Sequence, residues 1–535
     1  MRLLVVAGLA ERALACSFLI ANWQIERAAL DHAAERLIPR GPDGTNVVHP
    51  EGWTIMHNLL HMHGDKRLQP FADAANRTFA VFNGELYNYR AFKPSATSDG
   101  QALLPAYRAA LRALLPAETS GGAHITPEAI ATAAASFVAS LDGEFALVVV
   151  DFPSRHVVFG TDPFATKPLF FAHNQLTGRF ALASYSSPLR RLGFQRKDVH
   201  EVAPNRAWVF RMPTATHAPA FDLVGVQLAS HQAVQWRLQQ NKQHTHDWRR
   251  AFARAVAKRA THSGPHVPMH ITLSYGLDSG LIHCMMDKLG NGNVVYSIVG
   301  RDPLEGIRSR IEWSNYTIEA FLIRMSSKDY HMESNFLRGH IDSYYFQTAL
   351  RPPRRAIPIH RDDAGRGISF IYRRARARGG RLFMVGAGPD EHMTMYRQPE
   401  MYPVTKAFPE RGPLRTPPFP STPTLEGYFP WPTFDKHSLL GALRREEYIA
   451  GAFGIESRYP FLDKEVVQEW LHLAPHIKNG RYKAPLVDML QEECSGYPFK
   501  LIKLKYAVGK NGFFNGEVSQ VNHTVRGKNR ARSAL

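Results

Sequence analysis

The alternation of apolar and polar positions divides this chain into two parts. Up to about residue 210, short apolar runs are separated by turn residues: Thr78-Phe79-Ala80-Val81-Phe82, Phe145-Ala146-Leu147-Val148-Val149-Val150 and His156-Val157-Val158-Phe159. Runs of this length between turns predict strands. Helical spacing appears at about 23–38, 100–115 and 127–140, and the mixture predicts a layered α+β domain with packed sheets. Residues 212–240 mix Pro, Thr, His and Gln without a sustained period, which suits a connector. A helical stretch from Trp248 to Ala260 then leads into Pro268-Met269-His270-Ile271-Thr272, read as a buried strand. After a short turn, Leu281 to Met286 starts a helix, and Asn293 to Gly300 is the next strand. Strand, helix and strand in succession predict a βαβ unit of a parallel sheet, where ligands bind at the carboxyl ends of strands.

The turn inside that unit, Leu273-Ser274-Tyr275-Gly276-Leu277-Asp278-Ser279-Gly280, is the most informative stretch. A glycine-bearing turn that feeds a helix aims free backbone N–H groups and the positive end of the helix dipole at one spot. Ser274 and Ser279 add hydroxyl donors, and Asp278 has the chemistry to hold a Mg²⁺ bridged to phosphate oxygens. The turn suggests nucleotide or pyrophosphate binding, although an ordinary βα turn capped by serine has the same outline.

Composition narrows the class. The length of 535 residues favours two or three domains, and 44% hydrophobic content suffices for large cores. The sequence has no apolar run long enough to span a bilayer, so no membrane partner is expected. Cys16, Cys284 and Cys494 suggest neither a disulfide framework nor a metal cluster, and point to a reducing, cytoplasmic location. In the first fifteen residues, Glu11 and Arg12 break the apolar run that a secretory signal needs. The net charge of +18 sits in local clusters such as Arg373-Arg374-Ala375-Arg376 and in the tail 521–535, which reads as disordered. Without aromatic residues interleaved, these clusters read as a solvated basic face rather than a nucleic-acid site. The 25 histidines include no pair with convincing metal spacing.

Four segments in order resemble the glutamine amidotransferase domain that uses an N-terminal cysteine: Arg40 to Gly44, Phe82 to Tyr89, Leu141 to Ala146 and Asp162 to Leu169, together with Ser98-Asp99. The Ser274–Gly280 turn resembles the Ser-Gly-Gly-x-Asp-Ser pyrophosphate loop of the ATP pyrophosphatases, in the form used by asparagine synthetases. Tyr275 stands for a Gly and Gly280 for a Ser. Three further stretches extend the likeness: Gly386-Ala387-Gly388-Pro389-Asp390-Glu391, Glu456 to Asp463, and Gly480-Arg481-Tyr482-Lys483-Ala484-Pro485-Leu486. The resemblance implies an αββα amidotransferase-like sandwich over residues 1–211, a linker at 212–240 and a parallel-sheet ATP-pyrophosphatase domain over 241–520. A homodimer is compatible with it.

The resemblance also implies roles. Asn83 and Gly84 would form an oxyanion hole, while Glu85 and Asp99, with Asn83, would bind glutamine. Cys16 would be the nucleophile only if it became N-terminal; read from the residues alone, it is equally a buried small side chain. Leu273, Ser274, Gly276, Asp278, Ser279, Val299, Gly386, Asp390 and Glu391 would contact ATP and pyrophosphate, with Asp278 and Asp390 at Mg²⁺. Lys483 would neutralise charge on the acyl-adenylate and the leaving pyrophosphate, and Glu456–Asp463 is read as scaffold. The implied activity is that of an asparagine-synthetase-like ligase. It would adenylate a carboxylate, aspartate foremost, and transfer nitrogen from glutamine or ammonia. Three departures bear on it. Asn58 or Leu59 stands where the family's carboxylate-gripping Arg belongs, Tyr275 puts a side chain where a glycine-only backbone angle is in question, and Ala387 lacks a carboxylate that would help deprotonate an attacking amine. The alternatives are a relative that uses a substrate amine, as in β-lactam synthetases and lasso-peptide cyclases, or a pseudo-enzyme acting as a regulatory subunit.

Overall fold

The computed structural model describes residues 16–525 apart from 63, 76, 115–126, 175, 213–230, 265–266, 291–292, 299–303, 316–317, 343, 348–355, 395–418 and 500–520. In the first half run β1 (Ser17–Ala21), β2 (Gly44–Val48), β3 (Thr54–Leu59), β4 (Phe71–Ala72), β5 (Thr78–Leu86) and β6 (Gly143–Asp151). They are followed by β7 (His156–Thr161), β8 (Phe170–Asn174), β9 (Arg179–Ala183), β10 (Val199–Glu201), β11 (Arg206–Arg211) and β12 (His231–Gln232). These form two antiparallel sheets, ordered β10-β8-β9-β1-β3-β2 and β12-β11-β7-β6-β5-β4. Phe18, Ile20 and Ile55 of the first meet Val81, Val148 and Phe159 of the second in a shared core. The next residues along β1, Leu19 and Ala21, face outward onto the helix Arg27–Ala34. The far face of the second sheet carries Leu147 and Val149 against helices Leu103–Leu114 and Pro127–Ser140. Covering both faces explains why these strands read as continuous apolar runs rather than alternating ones. The layering is helix, sheet, sheet, helix.

The second half holds a mostly parallel sheet built from β13 (Met269–Thr272), β14 (Asn293–Ile298), β15 (Ile318–Ile323), β18 (Leu382–Met384), β19 (Glu456–Arg458) and β20 (Val521–Val525); β16 (Tyr345–Gln347) and β17 (Ala356–Pro358) make a separate hairpin. The order is β19-β18-β13-β14-β15-β20, and β20 alone runs antiparallel to its neighbour. The chain moves outward from β13 to β15 and then returns to place β18 on the other side of β13. That reversal opens a crevice at the carboxyl ends of β13 and β18, where open α/β sheets bind ligands.

Within 301–380 the chain supplies β15 and the helices Leu304–Trp313, Ser327–His340 and Asp363–Ala377. Two expectations need correcting. Residues 521–525, read as disordered, form the edge strand β20, while 526–535 lie outside the described residues. Cys284 and Cys494 form a disulfide across 210 residues, with Cα atoms 6.2 Å apart. Packing of the helix Leu277–Lys288 against Ala484–Glu492 makes that pairing, and sequence spacing holds no signal of it. Among the described residues, no helix is long and apolar enough to cross a membrane.

Candidate active site

The crevice between β13 and β18 gathers charge from three distant stretches. After β13 the chain turns at Leu273–Gly276, with Gly276 as N-cap of the helix Leu277–Lys288. The Ser274 and Ser279 hydroxyls lie 2.9 Å apart, the Ser274 hydroxyl accepts from the Gly276 amide at 3.1 Å, and that of Ser279 accepts from the Ser274 amide at 3.1 Å. Tyr275 is not among the residues with left-handed backbone, so its side chain does not strain the turn. After β18, Gly386 passes so close that a Cβ there would sit 3.1 Å from Asp278 Cβ. Gly388 has φ +118° and leads into the turn that carries Asp390 and Glu391. The Glu391 carbonyl accepts from Trp431 Nε1 and Thr433, so its backbone is fixed as part of the wall.

Lys483 closes the crevice. It is the N-cap of Ala484–Glu492 and has φ 50°, a left-handed conformation costly for a non-glycine residue. Held there, its ammonium lies 2.6 Å from both Asp278 carboxylate oxygens and 2.8 Å from Asp390 Oδ1. Burial alone would lower the Lys483 pKa; Asp278 and then Asp390 reverse this and raise it well above the ordinary lysine value. Tyr482, which the sequence reading did not assign, donates to Asp390 Oδ1 at 3.3 Å; its position beside Lys483 in the same motif was the available signal. The Asp278 and Asp390 side chains remain 22% and 28% exposed. Two carboxylates opening onto one crevice are the hard oxygen donors that Mg²⁺ takes together with phosphate oxygens, so these residues fit that ion. The crevice thus brings together Leu273, Ser274, Gly276, Asp278, Ser279, Gly386, Asp390, Glu391 and Lys483. Val299 lies outside the described residues.

The first half carries a second polar centre. Asn83 and Gly84 lie on β5, and Gly84 has φ +134°; a Cβ there would meet the Glu144 carbonyl at 1.8 Å, so only glycine fits. The Asn83 side chain is buried, and its Nδ2 has no acceptor among the described residues. A dry, uncommitted amide donor suits a ligand oxygen. Asp99 accepts from the Leu86 and Gly100 amides, which orients its carboxylate. The Cys16 thiol bonds the Leu60 amide at 3.1 Å. Desolvation raises the Cys16 pKa; the Leu60 bond opposes this only in part, and Glu456, Glu85 and Asp99 add to it. The thiol is therefore held protonated. Asn58 is buried and donates to Ser17 Oγ at 3.0 Å, paired across β1 and β3, so no carboxylate-gripping cation stands there.

Two residues from the second half reach into this centre. His262 Nε2 lies 2.6 Å from Glu85 Oε2 and 3.7 Å from Asp99 Oδ2, and Arg458 lies 3.2 Å from Glu85 Oε1 and 2.7 Å from Glu456 Oε1. Burial would depress the His262 pKa, but Glu85 and Asp99 lift it to about 9. Burial likewise works against ionised Glu85, yet Arg458 and His262 hold its carboxyl below the ordinary range. Glu85, Asp99 and His262 also have the residue types of a metal site. Their 2.6 Å contact is shorter than the roughly 3.3 Å between two ligands of one tetrahedral zinc at about 2.0 Å each, so a direct ion pair describes them better. Of the stretch Glu456–Asp463, read as scaffold, Asp463 pairs with Arg259 and Arg458 reaches Glu85 in the polar centre.

Residues 15–248 match the glutamine amidotransferase domain family. These residues are similar to a glutamine amidotransferase domain, and part of the chain is similar to asparagine synthetases. A probable glutamine-hydrolysing asparagine synthetase of Acanthamoeba polyphaga mimivirus is 24% identical over 197 residues, 36% of this chain and 32% of that protein. Amidase chyE of Penicillium rubens is 24% identical over 402 residues, 69% of this chain and 55% of that protein. The chain therefore spans about a third and about half of the lengths of these relatives. A solved glutamine phosphoribosylpyrophosphate amidotransferase from B. subtilis, complexed with ADP and GMP, aligns with a TM-score of 0.29 and 12% identity over 55% of this chain and 77% of that one.

The amidotransferase domain is bound to the rest of the chain through buried ion pairs. Arg40 donates to the Cys16 carbonyl, the Tyr185 hydroxyl and Glu447; Lys167 pairs with Glu447 at 2.7 Å, and Arg259 with Glu144 at 2.6 Å. Several of the segments that signalled the amidotransferase domain thus supply its seam with the second half.

Proposed function

We propose that this chain is an ATP-dependent, amide-forming synthetase whose chemistry takes place in the crevice between β13 and β18. The observation that carries this is the convergence of Asp278, Asp390 and Lys483 beside an anion-binding turn, with Lys483 in a strained backbone conformation. A carboxylate oxygen of the substrate attacks the α-phosphorus of ATP, and the bond to pyrophosphate breaks. A nitrogen nucleophile then attacks the acyl carbon of the adenylate, and AMP leaves. The Ser274 and Ser279 hydroxyls and the amides of the turn bind the phosphate chain, and Lys483 offsets its developing charge. Mg²⁺, held by Asp278 and Asp390, would supply charge neutralisation at the phosphates. Aspartate is the carboxylate to test first, and the relatives' names support amide chemistry. With Ala387 between the two glycines, deprotonation of the attacking nitrogen falls to another group.

The amidotransferase likeness supports small-molecule substrates such as glutamine. Ammonia is the alternative nitrogen source, because His262 already pairs with both carboxylates that would take an α-ammonium. The disulfide tells against a strongly reducing cytoplasm as the place of action.

The test is pyrophosphate release from ATP and Mg²⁺ with aspartate, comparing ammonium with glutamine. Release with ammonium supports the synthetase. Absence of release with every carboxylate tried, together with no ATP binding by calorimetry, would leave a pseudo-enzyme.

A further inference from the structure

The two departures in the anion-binding turn share one neighbour. Arg310, on the helix Leu304–Trp313, is fully buried and donates to the carbonyls of Ser274, Tyr275 and Gly276 at 2.5, 3.2 and 2.9 Å. A fourth bond runs to the Pro498 carbonyl at 2.9 Å. Its guanidinium lies over the rings of Tyr275 and Tyr497, 4.7 and 5.2 Å from their centroids. Gly280, where the resembling loop has a serine, makes room for it: a Cβ at Gly280 would sit 2.9 Å from Arg310 Nη1 and 3.0 Å from Cζ. Gly306, one turn before Arg310, makes room in the same way for Tyr275, since a Cβ there would lie 2.4 Å from that ring. Tyr275, Gly280, Gly306 and Arg310 therefore fit one another as a set.

We infer that Arg310 is a positioning residue for the phosphate chain of ATP. This rests on the reading of the crevice given above. Its planar fork takes three successive carbonyls of the turn from behind, which fixes the peptide planes so that the hydroxyls and the first amides of the helix Leu277–Lys288 face the ligand. Tyr275 supplies the ring on which the guanidinium rests, in place of the flexibility a glycine would bring to the turn.

The test uses the full chain with two probes, MgATP and inorganic pyrophosphate, titrated by calorimetry. Arg310→Met is expected to weaken both at least tenfold while the melting transition stays cooperative, and to raise KM for ATP more than it lowers kcat. Arg310→Lys keeps the charge but loses the fork, and is expected to remain weak. Gly280→Ala pushes on the pinned guanidinium, so it should weaken binding in the wild type and cost nothing further in Arg310→Met. That non-additivity separates positioning from general destabilisation. Wild-type affinity in Arg310→Met or Arg310→Lys, or purely additive losses, would overturn the inference. Should Arg310→Met fail to fold, Gly280→Ala alone decides: weaker binding supports the role and unchanged binding removes it. A wild type that binds neither probe overturns the reading of the crevice, and this inference with it.

Discussion

Glu85 in the first half and Asp278 in the second each face a cation delivered from a distant part of the chain, but they do so in different surroundings. The Glu85 side chain is 6% exposed and clamped by Arg458 and His262, and Arg458 is itself shared with Glu456. Asp278 is 22% exposed and faces Lys483 across a crevice that opens between two strand ends. A carboxylate closed in by its own protein's cations stabilises the fold, because separating the partners would leave charges in a poor dielectric. A carboxylate left partly wet beside a strained lysine can exchange its partner for a ligand. On the proposed reading, related polar chemistry serves cohesion in one place and binding in the other. The belt of buried pairs along the seam, Arg40–Glu447 and Arg259–Glu144 among them, belongs with the first kind.

The sharpest break in this comparison is Arg458→Met. It strips Glu85 and Glu456 of a buried partner, and removing one member of such a pair costs about 3–5 kcal/mol. Denaturant unfolding should register that loss. A change below about 1 kcal/mol would mean the network carries little of the stability assigned to it. The opposite case is Lys483→Met. Pyrophosphate release should fall by about 10²–10³, the usual scale for removing a preorganised electrostatic group. Its melting temperature should change far less than that of Arg458→Met. Near-normal turnover would remove Lys483 from the chemistry.

The pH dependence sharpens the first region further. His262 is held near 9 by Glu85 and Asp99, against an ordinary value of 6.5. A raised pKa in the folded state means stability that is fully present below about 6.5 and is lost as pH rises through about 9. From that shift the loss is about 3 kcal/mol. Glu85 and Asp99 face the imidazole, with the Tyr87 and Tyr89 rings packed edge-on against it and Arg458 also paired with Glu85. Unfolding free energy measured between pH 6 and 10 should therefore decline in the wild type and stay flatter in His262→Gln. Parallel curves would mean that His262 is not charged in the fold.

The sequence made the two regions legible to different degrees, for physical reasons. The crevice was readable because its parts are local: the Ser274–Gly280 turn, the Gly386–Glu391 turn and Lys483 each sit in a short motif at the end of a strand or the start of a helix. Sheet topology then places them together by a rule that holds for parallel sheets in general. The strands and helices of the first half were readable from their periods, with Leu103–Leu114 and Pro127–Ser140 close to the spans expected. The pairing of His262 and Arg458 with Glu85 was not readable, since each partner lies more than 170 positions away and acts through the seam. Arg310 escaped for the same reason: its partners are backbone carbonyls, which carry no side-chain signature. The disulfide shows the limit of counting, because two cysteines 210 residues apart pair only when two helices pack.

The smallest effect expected is that of Cys16→Ala, and it decides how far the first region has moved from catalysis to cohesion. Burial raises the pKa of this thiol, which accepts from the Leu60 amide and lies near carboxylates already paired with His262. Ammonium-dependent pyrophosphate release should therefore stay within about twofold of wild type, because the thiol has no part in the crevice between β13 and β18. Glutamine-dependent release should be absent from both proteins. In a His262→Ala background on a chain trimmed to begin at Cys16, the Glu85–Asp99 site is freed for an α-ammonium and the α-amine of Cys16 becomes available as a base. If the centre retains its chemistry, glutamine use should appear there, and adding Cys16→Ala should abolish it. Glutamine-dependent turnover in the untrimmed wild type, removed by Cys16→Ala, would contradict this comparison directly. The His262 contact would then be a partner that substrate displaces, and both regions would be working sites.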